Sequence, residues 1–232
     1  MDQEKIWDYY QGKGIHTFDG NAARLKFLAR QLSPADGNVL NIGVGNGYLE
    51  EMIRARRAHE VHSLDPSEIA IARLRTEIGM DAEHAKVGYS QAIPFPDDWF
   101  DVVIMSEVVE HLEDDVIADT LREITRVLRP RGRYLGTVPA DEKLDAHQVV
   151  CPKCGEVFHP VGHVQSFSRE RLSRLLERDF QEVTVKHVYL VGWQMLNWKG
   201  RLKWLVKKGL LYAGVTGAGQ NLYFEAARRG SR

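Results

Sequence analysis

Cysteine is almost missing from this chain. There are two in 232 residues, Cys151 and Cys154, too few for a disulfide framework. In a reducing compartment a C-x-x-C pair points to metal or redox chemistry instead. Long apolar runs are missing as well, and no stretch approaches the roughly 18 residues that a spanning helix needs. The first residues, MDQEKIWDYYQGKG, lack the charged-then-apolar order of a secretory signal. Together these absences lead to the expectation of a cytoplasmic protein. The net charge is −1, which gives no global argument for nucleic acid or an acidic partner. The balance is local, however: between Val183 and Phe224 there are six Lys or Arg and no Asp or Glu.

With 44% hydrophobic and 27% charged residues, the composition is that of an ordinary globular chain able to bury one α/β core. Strand and helix signals alternate from residue 38. NVLNIG, EVHSLD, AEHAKV, FDVVIMS and GRYLGTVP read as strands. GYLEEMIRARR, SEIAIARLRTEIG and DDVIADTLREITRVL read as the helices between them. Such alternation predicts βαβ units and a mostly parallel, Rossmann-like sheet with helices on both faces. DVVIM is apolar throughout, as a strand buried on both faces should be. The expected organisation is one domain over 1–232. It comprises N-terminal lid helices (1–33, including Trp7, Tyr9 and Tyr10), a core over 38–140, a Cys/His insertion over 141–167, a basic Trp-rich segment over 189–220 and a last strand, NLYFEAAR.

VLNIGVGNGYLE places Gly43, Gly45 and Gly47 between a strand and a helix, where small residues let the backbone approach a ligand. Any tight βα turn can use glycines, but Asp65 closes the next strand, where a carboxylate can accept both hydroxyls of a ribose. These residues, with LDPSEIAIARLR, AIPFPDDWFDVVIMSEVVEHLED and ITRVLRPRGRYLGTVP, resemble the class I S-adenosylmethionine-dependent methyltransferases, in particular the group acting on small molecules, lipids and glycans. The resemblance covers residues 38–140 firmly and HVQSFSRERLSRLLERDF loosely. It implies a seven-stranded sheet with the last strand antiparallel. It also implies a cofactor site at Asn41, Gly43, Gly45, Gly47, Asp65, Pro66, Tyr89, Ser90 and Ser106. Two positions depart from the family: Asn41 and Tyr89 stand where acids are usual, so the contacts to the cofactor's ammonium and adenine amine must be made differently.

Methyl transfer from a sulfonium is an in-line displacement that depends mainly on alignment. A base is needed when the acceptor is a hydroxyl. Glu107, Glu110 and His111, in SEVVEHLEDD, are the candidates; a helix beginning after Ser106 would set them on one face. They either orient the loop after the fourth strand or bind a divalent cation (Mg2+ or Mn2+) with His163. The second arrangement resembles ubiquinone-pathway O-methyltransferases and small-RNA 2′-O-methyltransferases, in which a metal lowers the pKa of the acceptor hydroxyl.

The stretch CPKCGEVFHPVGH offers a competing use of His163. Cys151, Cys154, His159 and His163 have the spacing C-x2-C-x4-H-x3-H, which suits a closed, structural zinc site. His163 cannot serve both sites, and the spacing favours the zinc knuckle as a staple in the substrate loop. Free thiols or a reversible disulfide are the alternatives. Basic residues nearby are few (Lys143, Lys153, Arg169), so nucleic acid is weakly supported.

The segment 193–212 places Trp198, Leu202, Leu205, Val206 and Leu210 on one helical face. Lys199, Lys203 and Lys207 flank it on one side, Arg201 and Lys208 on the other. Such a helix either packs on the sheet with snorkelling lysines or meets a membrane surface as a peripheral contact. Trp193, Trp198 and Trp204 could alternatively roof a substrate. The expected activity is O-methylation of a small-molecule, glycan or lipid-linked acceptor. RNA 2′-O-methylation and a non-catalytic cofactor-binding scaffold are the alternatives.

Overall fold

The computed structural model describes residues 5–7, 9, 22–193, 196–215 and 220–230. Strands β1 (Asn38–Ile42), β2 (Glu60–Asp65), β3 (Ala85–Val87), β4 (Phe100–Ser106) and β5 (Leu128–Pro139) alternate with helices. Between them lie α2 (Tyr48–Arg54), α3 (Glu68–Glu77) and α4 (Asp114–Val127), and α1 (Ala22–Ala29) precedes β1. The chain continues through a hairpin, β6 (Val149–Val150) and β7 (Val157–Phe158), then α5 (Arg169–Leu176), β8 (Phe180–Val188), α6 (Trp198–Tyr212) and β9 (Asn221–Arg228).

The main sheet has seven strands in the order β3-β2-β1-β4-β5-β9-β8. The pairs among β1 to β5 are parallel, and β9 is antiparallel to both β5 and β8. This is the expected Rossmann-like sheet with an antiparallel last strand. The order reverses between β1 and β4, which opens a crevice at their carboxyl ends. Buried side chains fill both faces of the sheet. Leu40, Leu64, Val103 and Phe224 lie in one core cluster, Val39, Val61, Val102 and Ile104 in the other.

Local signals explain most element boundaries. Ser67 caps α3 by accepting from the Ala70 amide, and Ser168 caps α5 by accepting from the Arg171 amide. In α4 the buried Ile117, Leu121 and Ile124 recur at helical spacing, and Asp114 and Asp115 occupy the first turn. Two expectations shift. The fifth strand starts at Leu128, directly after α4, with a register irregularity between the Phe100 and Val102 pairs. Of the N-terminal helices expected over 1–33, residues 5–7, 9 and 22–29 are helical, and Tyr10 lies outside the described residues.

Candidate functional site

The glycine loop sits at the carboxyl end of β1, on the crevice. Gly43, Gly45 and Gly47 all have positive φ, a conformation that costs other residues about 1 kcal/mol or more. A Cβ on Gly43 would lie 2.5 Å from Val108 Cγ2, and one on Gly47 would lie 2.6 Å from Ile78 Cδ1. Gly47 is therefore needed for packing of the loop on α3, and Gly43 for packing against the turn that follows β4. Asp65 ends β2 nearly buried, its carboxylate accepting from the Val44 and Ser67 amides at 2.8 and 2.9 Å. The acid thus fixes the glycine loop to the end of its neighbouring strand, next to Pro66. Burial raises the Asp65 pKa despite these hydrogen bonds.

Asn41 is buried and donates through Nδ2 to Glu50 Oε1 at 2.7 Å; Ser63 Oγ donates to the same oxygen at 3.0 Å. Glu50, on α2, is fully buried, and burial pushes its pKa up to about 7. A carboxylate does stand against Asn41, brought from the next helix. Ser90 is buried, its hydroxyl paired with Thr120 Oγ1 at 2.8 Å, while Tyr89 is exposed. Ser106 Oγ lies 2.9 Å from Thr137 Oγ1 at the end of β4.

Beyond Ser106 the chain does not form the expected helix. Glu107 has φ +55°, and only a short 3-10 turn, Val109–His111, follows. The left-handed residue turns Glu107 away from the face of that turn. Its carboxylate accepts from Asn221 Nδ2 at 3.1 Å and pairs with Arg24 Nη1 at 3.4 Å. Glu110 and His111 point instead into a group of histidines. One ligand atom each from Glu110, His111 and His163 lie within 4.8 Å of one another, and Glu142, His159 and His163 form an adjoining group.

The hydrogen bonds assign roles within this cluster. His111 Nδ1 lies 3.1 Å from the Gly162 carbonyl, an acceptor only, so Nδ1 carries the proton and Nε2 keeps its lone pair. Burial, reinforced by His163, drops the His111 pKa to about 3, so the ring is neutral at physiological pH. The His163 amide donates to His159 Nδ1 at 3.2 Å, so the proton of a neutral His159 is on Nε2, which faces Glu142 Oε1 at 3.5 Å. His163 Nδ1 bonds Glu142 Oε2 at 2.5 Å, leaving Nε2 toward Glu110 Oε1 at 3.9 Å. Glu142 is hydrogen-bonded to His163 alone, the His159 Nε2 approach falling outside hydrogen-bond geometry, and as an outer carboxylate it orients His163.

Glu110 is the outlier. It is fully buried and neither of its oxygens has a hydrogen-bond partner. Burial and the nearby Glu107 charge raise its pKa well above the carboxylate range. An uncompensated buried carboxylate costs several kcal/mol, on the order of the penalties seen for unpaired buried ions. Facing two imidazole lone pairs, it has the chemistry of a divalent-cation ligand.

The zinc knuckle expected of Cys151, Cys154, His159 and His163 does not close. Among the described residues, neither cysteine joins a group of three or more metal-ligating side chains. The hairpin β6–β7 holds the cysteines at its exposed tip, with the Cys151 amide bonded to the Glu156 carbonyl and the Gly155 amide to the Cys151 carbonyl. After β7 the chain turns inward, and the Val164 and Gln165 amides both bond to the Glu110 carbonyl. That anchor carries His159 and His163 to the sheet edge, away from the thiols.

Several residues of the site carry no local signal. Arg24, Asn221 and Glu142 arrive from distant segments, Glu50 from the helix after the glycine loop, and Trp7 places its ring 4.7 Å from that of His111. Trp7, from the segment expected to be a lid, thus contacts one member of the cluster.

A family profile for the methyltransferase domain matches residues 15–181, and the chain belongs to that family. A probable S-adenosylmethionine-dependent methyltransferase of Mycolicibacterium smegmatis is 37% identical over 106 residues, 45% of this chain and 39% of that protein. The ubiquinone biosynthesis O-methyltransferase of Pseudomonas entomophila is 30% identical over 135 residues, 56% of each chain. The chain thus spans about half, or less, of the curated relatives it matches. In fold it is similar to an S-adenosylmethionine-dependent methyltransferase of Thermotoga maritima, with a TM-score of 0.66 and 18% identity over 97% of this chain and 99% of that one. The 1,6-didemethyltoxoflavin-N1-methyltransferase of Burkholderia thailandensis, solved with S-adenosylhomocysteine, also superimposes with a TM-score of 0.66, at 16% identity, covering 98% of this chain and 87% of that one.

Proposed function

We propose that this protein is an S-adenosylmethionine-dependent O-methyltransferase that uses a divalent cation held by Glu110, His111 and His163. The hydroxyl acceptor would belong to a small molecule, a glycan or a lipid-linked glycan. The observation that carries the reading is Glu110, a buried carboxylate without a hydrogen bond that lies close to two imidazoles, beside the crevice where the sheet order reverses. The likeness to ubiquinone biosynthesis O-methyltransferases favours oxygen as the methylated atom.

The methyl donor would lie along the glycine loop, with Asp65 toward its ribose and Ser106 near its amino-acid end. Glu50, paired to Asn41, supplies the carboxylate that the family keeps at position 41. The cation, when bound, polarises the acceptor hydroxyl and lowers its pKa. Glu110, His111 and His163 hold it, and Glu142 fixes the tautomer of His163. Glu107, held by Arg24 and Asn221, orders the turn beside the donor, and its charge disfavours an empty, ionised Glu110. Alignment of oxygen, methyl and sulfur then carries most of the rate.

The test is methyl transfer to a panel of hydroxyl acceptors with Mg2+, Mn2+ or Zn2+ added after chelation. Activity that disappears with chelator and returns with one of these ions supports the reading. Full turnover in chelator, with Glu110→Gln as active as the parent, overturns the cation's role.

A further inference from the structure

Helix α6 wears its apolar face outward. Trp198 is 71% exposed, Leu202 57%, Leu205 53%, Val206 54% and Leu210 41%. The face turned to the protein is made by Trp204, Lys207, Lys208 and Leu211, all half-buried. Trp204 donates from Nε1 to the Val191 carbonyl at 3.2 Å and meets the Trp193 ring edge-on at 5.1 Å. The Lys207 ammonium lies 4.7 Å from the centre of the Tyr189 ring and that of Lys208 5.4 Å from Trp204. A helix that merely covered the sheet would do the opposite, with leucines inward and lysines at the rim. α6 is fastened by its aromatic and cationic side and leaves a continuous apolar ridge in solvent. Contiguous exposed patches of this kind mark interaction surfaces.

The charge around the ridge narrows the partner. Lys199, Arg201 and Lys203 are exposed beside it, and no Asp or Glu occurs from Val183 to Phe224. A second copy docking ridge to ridge would bring like charges together. A nucleic acid would meet leucine and tryptophan at the centre of the contact instead of cations. An apolar ridge with a Trp at one end and a cationic border suits an anionic lipid surface, where leucines enter the acyl boundary and lysines meet headgroups. Among the described residues no helix is long and apolar enough to cross a membrane, so the contact would be peripheral.

Topology places the ridge usefully. α6 leaves the carboxyl end of β8 and returns to the start of β9, where Asn221 pairs with Val188 and with Pro139 at the carboxyl end of β5. That is the edge of the sheet that carries the glycine loop and the Glu110 cluster, and Asn221 itself bonds Glu107.

We infer that the outward face of α6 docks the protein on anionic phospholipid surfaces, with the crevice edge of the sheet toward the bilayer. Binding needs no turnover, so this inference stands or falls apart from the methyl-transfer reading. The experiment is co-sedimentation of the full chain with vesicles of phosphatidylcholine alone or with phosphatidylglycerol added, at low and high salt. The expected result is at least tenfold tighter binding to the anionic vesicles, weakened by salt, with a blue shift of tryptophan emission. A Leu202→Gln, Leu205→Gln, Val206→Gln variant should lose that binding at least tenfold while keeping its circular dichroism and its affinity for S-adenosylhomocysteine. Lys199→Gln with Lys203→Gln should lose mainly the salt-sensitive part. Failure to bind either vesicle, equal binding to neutral vesicles, or a concentration-dependent dimer that the triple change abolishes would each overturn it.

Discussion

Among the described residues, histidine–carboxylate groups gather at two places on this sheet, and they differ in what each leaves unpaired. Glu60, His62 and His84 bring ligand atoms as close together as Glu110, His111 and His163 do. The first group is at the amino end of β2, away from the crevice; its carboxylate is paired, and the nitrogens of the buried His62 are the atoms without a hydrogen-bond partner. His84 bonds Asp81 through Nδ1 at 2.7 Å and Glu60 through Nε2 at 2.8 Å. Burial works against its charge, but those two carboxylates outweigh it and raise its pKa. With each ring nitrogen already engaged by a carboxylate, His84 offers neither of them to a metal. His62 is buried among Phe95, Phe100 and the His84 ring, and burial lowers its pKa to about 4. In the crevice cluster the buried carboxylate Glu110 is the member with no hydrogen bond to either oxygen, and the His111 ring keeps an Nε2 lone pair. Ligand types and distances are shared; which atom is left wanting a partner differs.

The largest effect expected from breaking this contrast is at Glu110. Glu110→Gln should lower methyl transfer by about 100-fold or more, since a direct ligand should matter at least as much as outer ones, whose loss typically costs 10–100-fold. S-adenosylhomocysteine affinity, measured by calorimetry, should be unchanged. Glu142→Gln should fall within that outer range, about 10–100-fold in cation affinity, because it frees the His163 tautomer.

The pH dependence separates the clusters next. Glu110 has a folded pKa above its unfolded value of about 4.3. Its contribution to stability is therefore full below pH ~4 and is lost as pH rises through the elevated value. Glu50, at about 7, has the same sign. His111, at about 3, and His62, at about 4, have the opposite one. Their contribution is full above the unfolded histidine value of ~6.5 and is lost as pH falls toward the folded values. In thermal melts the chelated protein should lose the Glu110 contribution as pH rises from about 4 through the elevated value. Added Mn2+ should reduce that loss, Glu110→Gln should lessen it without metal, and His62→Leu should leave it unchanged.

The smallest effects belong to the far cluster. His62→Leu should be neutral or stabilising within about 1 kcal/mol, since it removes unpartnered buried nitrogens. His84→Ala breaks largely exposed pairs and should cost about 1 kcal/mol at most. Denaturant titration checks both, and neither change should alter methyl transfer.

Strand and helix order was legible in the sequence because apolar runs such as DVVIM and the helical spacing of Ile117, Leu121 and Ile124 are local signals. The glycine loop and Asp65 were legible for the same reason. The position of His163 was not. Spacing made His159 and His163 partners of Cys151 and Cys154, but two amides bonding the Glu110 carbonyl carry the histidines to the sheet. Glu142, Arg24 and Asn221 reach the site only through tertiary contacts and have no sequence signature there. For α6 the pattern of the apolar face was readable, but whether it faced sheet or solvent was decided by how Trp204 and Lys207 anchor it.

The central claim is that Glu110, His111 and His163 form a cation site. Its most direct test is a titration of chelated protein with Mn2+, followed by electron paramagnetic resonance, beside Glu110→Gln and His84→Ala. The account predicts one bound equivalent in the parent and in His84→Ala, and none in Glu110→Gln. Equal binding by the parent and Glu110→Gln, or loss on His84→Ala, would contradict it.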